Sequence, residues 1–154
     1  GFWQDGTFVP GEGVHLGVVI ALRPSARRAG GLVAPVIRDA SNKDLLQIMS
    51  ELRDLVTRAR AGRLRASEVG GATFTVTELG EGGVDSVTPI IHPPQVAILG
   101  LGAVHDEPWA EAGMLAVRPV VHATLSGDHR AVDGRIGSAY LSTLSAVLQE
   151  PIDA

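Results

Sequence analysis

Residues 114 to 149 read MLAVRPVVHATLSGDHRAVDGRIGSAYLSTLSAVLQ, and this stretch changes character twice. Its first dozen residues are rich in Val, Leu, Ala and Thr without a helical repeat, which predicts a long strand. Its last part carries Ile136, Ala139, Tyr140, Leu144, Val147 and Leu148 on one helical side, which predicts a helix starting near Gly134 and closed by Pro151. Between them SGDHRAVDG, residues 126 to 134, packs one histidine, one arginine and two aspartates into a strand-to-helix junction, where side chains project into a cleft more readily than into a core.

Working back along the chain, TFTVTEL (73 to 79) alternates as a strand does, and VTPII and VAILGLGAV are short apolar runs between Gly and Pro punctuation. Three or four successive strands are expected there. Ser41 stands where a helix N-cap belongs, with Leu45, Ile48, Met49, Leu52, Leu55, Val56 and Ala59 at three- and four-residue steps and Gly62 as the stop. Arg53, Arg58, Arg60, Arg63 and Arg65 near its end read as a solvated helix terminus ahead of a phosphate site. Nearer the start, VHLGVVIALR (14 to 23) reads as a continuous strand buried on both faces. PSARRAGG (24 to 31) reads as an exposed connection, and LVAPVIR as a second strand interrupted or placed at an edge by Pro35. The order predicts an α+β two-layer sandwich, a β-sheet with helices on one face, in a single domain over 1–154.

Composition narrows the chemistry. With 154 residues, 45% hydrophobic and only 4% aromatic, the core rests on Val, Leu, Ile and Ala. A net charge of -4 disfavours nucleic acid and anionic membrane as partners. The absence of cysteine excludes disulfides, thiolate nucleophiles and cysteine metal sites, and fits a reducing cytosol. No apolar run approaches the roughly 20 residues of a membrane helix, and the start has no signal-like stretch, so a soluble cytoplasmic protein is expected. No two of the five histidines lie three or four residues apart, so no metal is expected. His15 and His122 fall in strand patterns and read as structural, while His92 and the acidic HDEPWAEAG around His105 read as exposed loops. His129, between Asp128 and Arg130 and four residues before Asp133, is either a catalytic base or part of a structural charged turn, and spacing alone leaves both open.

Three stretches in order carry a resemblance: VHLGVVIAL with GGLVAPVIRDASNKDLLQIMSELRDL, then GGATFTVTELGEGGVDSVTPIIHPPQVAILGLGAV, then ATLSGDHRAVDGRIGSAYLSTLSAVLQEP. Together they resemble the catalytic domain of the dihydrolipoamide acyltransferase (E2) component of 2-oxo acid dehydrogenase complexes. That resemblance implies a chloramphenicol acetyltransferase-like fold with a mixed sheet. It implies His129 as the general base toward the thiol of coenzyme A or dihydrolipoamide, Thr77 as the hydroxyl donor to the oxyanion, and Asp133 as the carboxylate holding the histidine turn through ion pairing. It also implies a homotrimer with the site between subunits, coenzyme A and lipoamide entering from opposite ends, a lipoyl group carried on a separate domain, and E1 and E3 partners met through domains not in this chain. No residue is assigned to coenzyme A binding.

The chain departs from the family pattern by starting late, within the catalytic domain, by its longer RPSARRAGG connection, by His92 where an asparagine is common, and by ending at EPIDA without an apolar tail, from which assembly is expected to stop at the trimer. Two other readings remain: a coenzyme A-dependent acyltransferase acting on a small molecule, and a core subunit that is structural only. The acyl group is not legible.

Overall fold

The structure is a computed structural model that describes residues 1–22, 24 and 30–150. The expectations for the middle of the RPSARRAGG connection and for the EPIDA end therefore fall largely outside the described residues.

The chain opens with a hairpin of β1 (Phe2–Gln4) and β2 (Thr7–Val9), turned by Asp5 and Gly6, both at positive φ as a tight two-residue turn requires. A five-stranded sheet follows, in the order β6 (Val36–Ile37), β3 (Leu16–Val18), β7 (Phe74–Glu78), β8 (Ala97–Glu111) and β9 (Met114–Gly127). The three central strands run parallel and the two outer ones antiparallel, so the sheet is mixed. A separate hairpin pairs β4 (Ile20–Leu22) with β5 (Gly31–Val33). The two long helices are α1 (Leu45–Arg60) and α2 (Gly134–Gln149).

Strand register sorts the side chains into two layers. Leu16 opposes Phe74, Val18 opposes Val76, and Val76, Leu99 and Leu125 form a row across the sheet. This face takes both helices. Leu55 of α1 packs with Ile37, Ala40, Leu16 and Val18, while Tyr140 of α2 lies 5.7 Å from Phe74, ring to ring. The sandwich with helices on one face is thus as expected. The other face presents Thr75, Ile98 and Ser126 in one row and Thr77, Gly100 and Thr124 in the next. Across it runs the segment that contains VTPII. It is not a strand: its carbonyls accept side-chain hydrogen bonds, Val87 O from Thr124 Oγ1 and Pro89 O from Ser126 Oγ at 2.5 Å. Glycines let it lie flat, because a Cβ on Gly102 would sit 1.8 Å from Asp85 O and one on Gly100 would sit 2.8 Å from Val87 Cγ1.

Three further expectations are corrected. The run 14–23 is not one strand: it breaks at Val19, whose N–H turns to Val76 O at 2.9 Å, and the chain beyond leaves the main sheet to pair with β5. The cap of α1 is Asp44, not Ser41, because Asp44 and Gln47 exchange reciprocal side-chain-to-backbone hydrogen bonds at 2.7 and 3.0 Å, while Ser41 sits in a preceding 3-10 turn. HDEPWAEAG is not a loop up to its turn: His105 to Glu111 continue β8, paired with β9 as far as Glu111 and Met114, and Ala112 and Gly113 turn at positive φ. Parallel pairing with β7 ends at Leu101, so Pro108 faces no second neighbour there and its missing N–H costs no ladder bond on the open side.

This two-stranded ribbon leaves Met114, Leu115 and Val117 exposed, and no residue of α2 is buried. A groove lined by Trp109, Val121, Ala123, Leu141, Leu144 and Leu148 runs between ribbon and helix. No helix is long and apolar enough to cross a membrane among the described residues.

Candidate active site

The His129 turn begins where β9 ends at Gly127. The Asp128 N–H still pairs with Val96 O at 2.8 Å, and the amides of Ala131 and Val132 both donate to Asp128 O, at 2.9 and 2.8 Å. The Asp128 carboxylate accepts from the Arg130 amide at 3.1 Å and from its guanidinium at 2.9 and 2.6 Å. Those side-chain bonds, then the backbone bond, pull the Asp128 carboxyl down from 3.8 to about 2, and the same pair raises Arg130. His129 is therefore flanked by two residues clamped to each other. Its own imidazole is exposed and, among the described residues, makes no hydrogen bond.

Asp133 makes no ion pair among the described residues; the ion pair within the turn is that of Asp128 with Arg130. Asp133 is the N-cap of α2, accepting from the Ile136 amide at 2.8 Å. A short carboxylate at this position satisfies an otherwise orphaned helix donor and complements the positive end of the helix dipole, so it fixes where the turn stops.

Thr77 lies mid-sheet on the face opposite the helices, half-buried, with no hydrogen-bond partner for its hydroxyl among the described residues. It opposes Gly100, which opposes Thr124. From that row to Gly127 is three residues along β9 and two strands across, about 14 Å between Cα atoms at ordinary strand dimensions. The strand pairing continues one residue past Gly127, through the Asp128 N–H bonded to Val96 O, which carries the chain away from that row. The register thus sets Thr77 in the middle of the sheet and the His129 turn beyond the end of its edge strand.

The other histidines are accounted for locally. His15 Nδ1 accepts from the Asp39 amide at 3.1 Å, the structural role expected. His122 lies 3.3 Å from Glu107 Oε1, and His105 Nε2 lies 3.0 Å from Asp85 Oδ1, both on the ribbon. His92 is exposed in a loop, as expected, before the cis Pro93–Pro94 bond. Arg58 binds Asp54 and Glu68, and Arg60 approaches Glu81, in keeping with the helix end as structural surface. No group of three potential metal ligands occurs among the described residues. The Asp128–Arg130 clamp and the Gln95–Thr75 hydrogen bond of 2.8 Å are the site-supporting pairs that spacing did not reveal.

A mixed sheet with both helices on one face and a histidine turn between its edge strand and the last helix defines an acyltransferase-type catalytic domain. Residues 3–154 match the model of the 2-oxoacid dehydrogenases acyltransferase (catalytic domain), and the chain belongs to that family. It is 36% identical, over 97% of its length, to the dihydrolipoyllysine-residue acetyltransferase component of the acetoin cleaving system of Bacillus subtilis. It is 39% identical, over 79% of its length, to the succinyltransferase component of the 2-oxoglutarate dehydrogenase complex of Escherichia coli. The dihydrolipoamide acetyltransferase of Azotobacter vinelandii superposes with a TM-score of 0.87 at 31% identity, covering 97% of this chain and 59% of that one; a serine, a histidine and an asparagine were investigated there for their role in the catalytic mechanism. The chain spans about a third of the length of the curated relatives it matches, 36% and 30% of these two.

Proposed function

We propose that this chain is the catalytic part of an E2 core subunit that transfers an acyl group between coenzyme A and the dihydrolipoamide thiol. The observation that carries the reading is the His129 turn: an exposed imidazole with no partner of its own, between two residues clamped to each other. In the Azotobacter relative the investigated serine, histidine and asparagine have the same separations along the chain as Thr77, His129 and Asp133.

His129 takes the proton of the attacking thiol, which at its ordinary pKa near 8.5 is mostly protonated at neutral pH. The thiolate adds to the thioester carbonyl carbon, and the tetrahedral oxyanion accepts a hydrogen bond from Thr77 Oγ1. Collapse expels the second thiolate, which recovers the proton from the imidazolium. Asp133 acts one step removed, by capping the helix that ends the turn. The register sets His129 and Thr77 of one chain apart along the sheet, which supports a site completed between copies, and a homotrimer with three such junctions fits the exposed apolar residues of the ribbon and the unburied helix. Coenzyme A is a substrate in this scheme, no metal takes part, and the lipoyl group arrives on a separate domain. E1 and E3 are the partner enzymes in the cytoplasm, met through other domains of the protein.

The test is transfer from acetyl-, succinyl- and isobutyryl-CoA to dihydrolipoamide by the full-length protein and its His129→Asn variant. One acyl donor should be preferred, and the variant should lose most of the rate with its fold and assembly intact. A variant at near wild-type rate removes the base, and a protein that acylates no dihydrolipoamide removes the reading.

A further inference from the structure

The clamp that flanks His129 has a third member far away in sequence. The Arg130 guanidinium carbon lies 4.5 Å from the ring centroid of Trp3, over its face. Trp3 belongs to β1, and its position is fixed from several sides. Its amide donates to Pro94 O at 2.8 Å, Phe2 bridges to Gln95, the chain-start amine donates to Thr73 O at 2.9 Å, and Trp3 opposes Phe8 in the hairpin. The ring is thus a platform attached where β7 and β8 begin, and Arg130 is held between it and Asp128.

We propose that Trp3 is a positioning residue for His129, acting through Arg130. The imidazole has no partner among the described residues, so its place depends on its neighbours in the chain. The Asp128 side is anchored by strand pairing to Val96, and the Arg130, Ala131 and Val132 amides bond back to Asp128, whereas the Arg130 side chain is held through an exposed guanidinium. An exposed ion pair alone holds such a side chain weakly, because solvent screens it and two side chains must be ordered. A planar guanidinium stacked on an indole gains attraction from the ring quadrupole and a surface that excludes water from one side of the pair. The stack therefore limits how far the turn can swing from the geometry the thiol requires.

The rate part of this inference rests on the proposed acyl transfer, and the structural part does not. The experiment uses the full-length protein with Trp3→Leu, which keeps apolar bulk without an aromatic face, and Trp3→Phe, which keeps a face. Hydrogen exchange by mass spectrometry is followed on the peptide spanning 127–133, which contains the Ala131 and Val132 amides bonded to Asp128 O. Exchange there should rise about two- to five-fold in Trp3→Leu, the change expected from losing one exposed cation–π contact, with β7 and β8 unchanged, and should stay near wild type in Trp3→Phe. Acetyl transfer to dihydrolipoamide should fall in kcat by about the same factor in Trp3→Leu, without a change in KM for acetyl-CoA, and recover in Trp3→Phe. Wild-type exchange in Trp3→Leu overturns the inference whatever the rates are. So do faster exchange with unchanged kcat, and an equal loss in both variants. If the wild-type protein transfers no acyl group, the proposed function falls and the exchange result decides the role of Trp3 alone.

Discussion

Replacing Asp133 separates two ways in which a carboxylate can hold the His129 turn. As an ion-pairing group it would depend on its charge. As the N-cap of α2 it depends on an acceptor oxygen 2.8 Å from the Ile136 amide. Asp133→Ala removes that acceptor, a loss of about 1 kcal/mol for a helix cap, which for a chain of this length lowers the melting temperature by roughly 2–4 °C. Asp133→Asn keeps the acceptor and gives up only the charge against the helix dipole, a few tenths of a kcal/mol at an exposed position. The helix itself has few ties to the sheet, chiefly Tyr140 against Phe74 and Gly137 beside Leu125, so a frayed first turn is transmitted directly to residues 129–133. Thermal denaturation and kcat of the three proteins should therefore rank wild type and Asp133→Asn close together and Asp133→Ala below both. If Asp133→Asn loses as much stability and rate as Asp133→Ala, the charge is what matters and the capping account is wrong.

Glycines predict opposite outcomes by position: Gly102→Ala must displace the Asp85 backbone and should lower the unfolding midpoint strongly, whereas Gly137→Ala meets Leu125 Cδ2 at an ordinary 3.6 Å and should raise stability by about 1 kcal/mol. Both are read from denaturant curves. Because Arg130 depresses Asp128 to about 2, below its ordinary 3.8, the clamp should be complete above about pH 4 and be lost only as pH falls through about 2. Thr77→Val should lower kcat about 10²–10³-fold, the usual loss for one oxyanion donor, with little change in coenzyme A affinity; an unchanged kcat leaves Thr77 an ordinary strand residue.

The strand, the charged turn and the helix of residues 114–149 were legible because two different periodicities meet at Gly127 to Gly134. The interruption at Pro35 and the stop at Gly62 were legible for equally local reasons. What was not legible depends on neighbours. The β-branched run 14–23 carries no sign of its break at Val19, which arises because β4 finds a partner outside the main sheet. His105 to Glu111 looks like a loop because a largely exposed edge ribbon needs no burial pattern, so three acidic residues and a proline cost it little. The cap moved from Ser41 to Asp44 because only Asp44 has Gln47 three residues on. At the site, His129 stood out from its junction alone. Thr77 looked like any strand threonine, and only the register showed it on the face opposite the helices, beside Gly100 and far from its own His129. The Trp3 stack, spanning 127 residues, has no local signal.

The central claim, that His129 of one copy works with Thr77 of another, is tested most directly by mixing two disabled proteins. Full-length His129→Ala and Thr77→Val are each assayed alone for acetyl transfer to dihydrolipoamide and then co-expressed in equal amounts in one assembly. If the site lies between copies, random mixing pairs an intact His129 with an intact Thr77 in about a quarter of the junctions, and the mixture should recover about that fraction of wild-type activity. If each chain completes its own site, every site keeps a lesion, and the mixed assembly will be no more active than the average of its two parents.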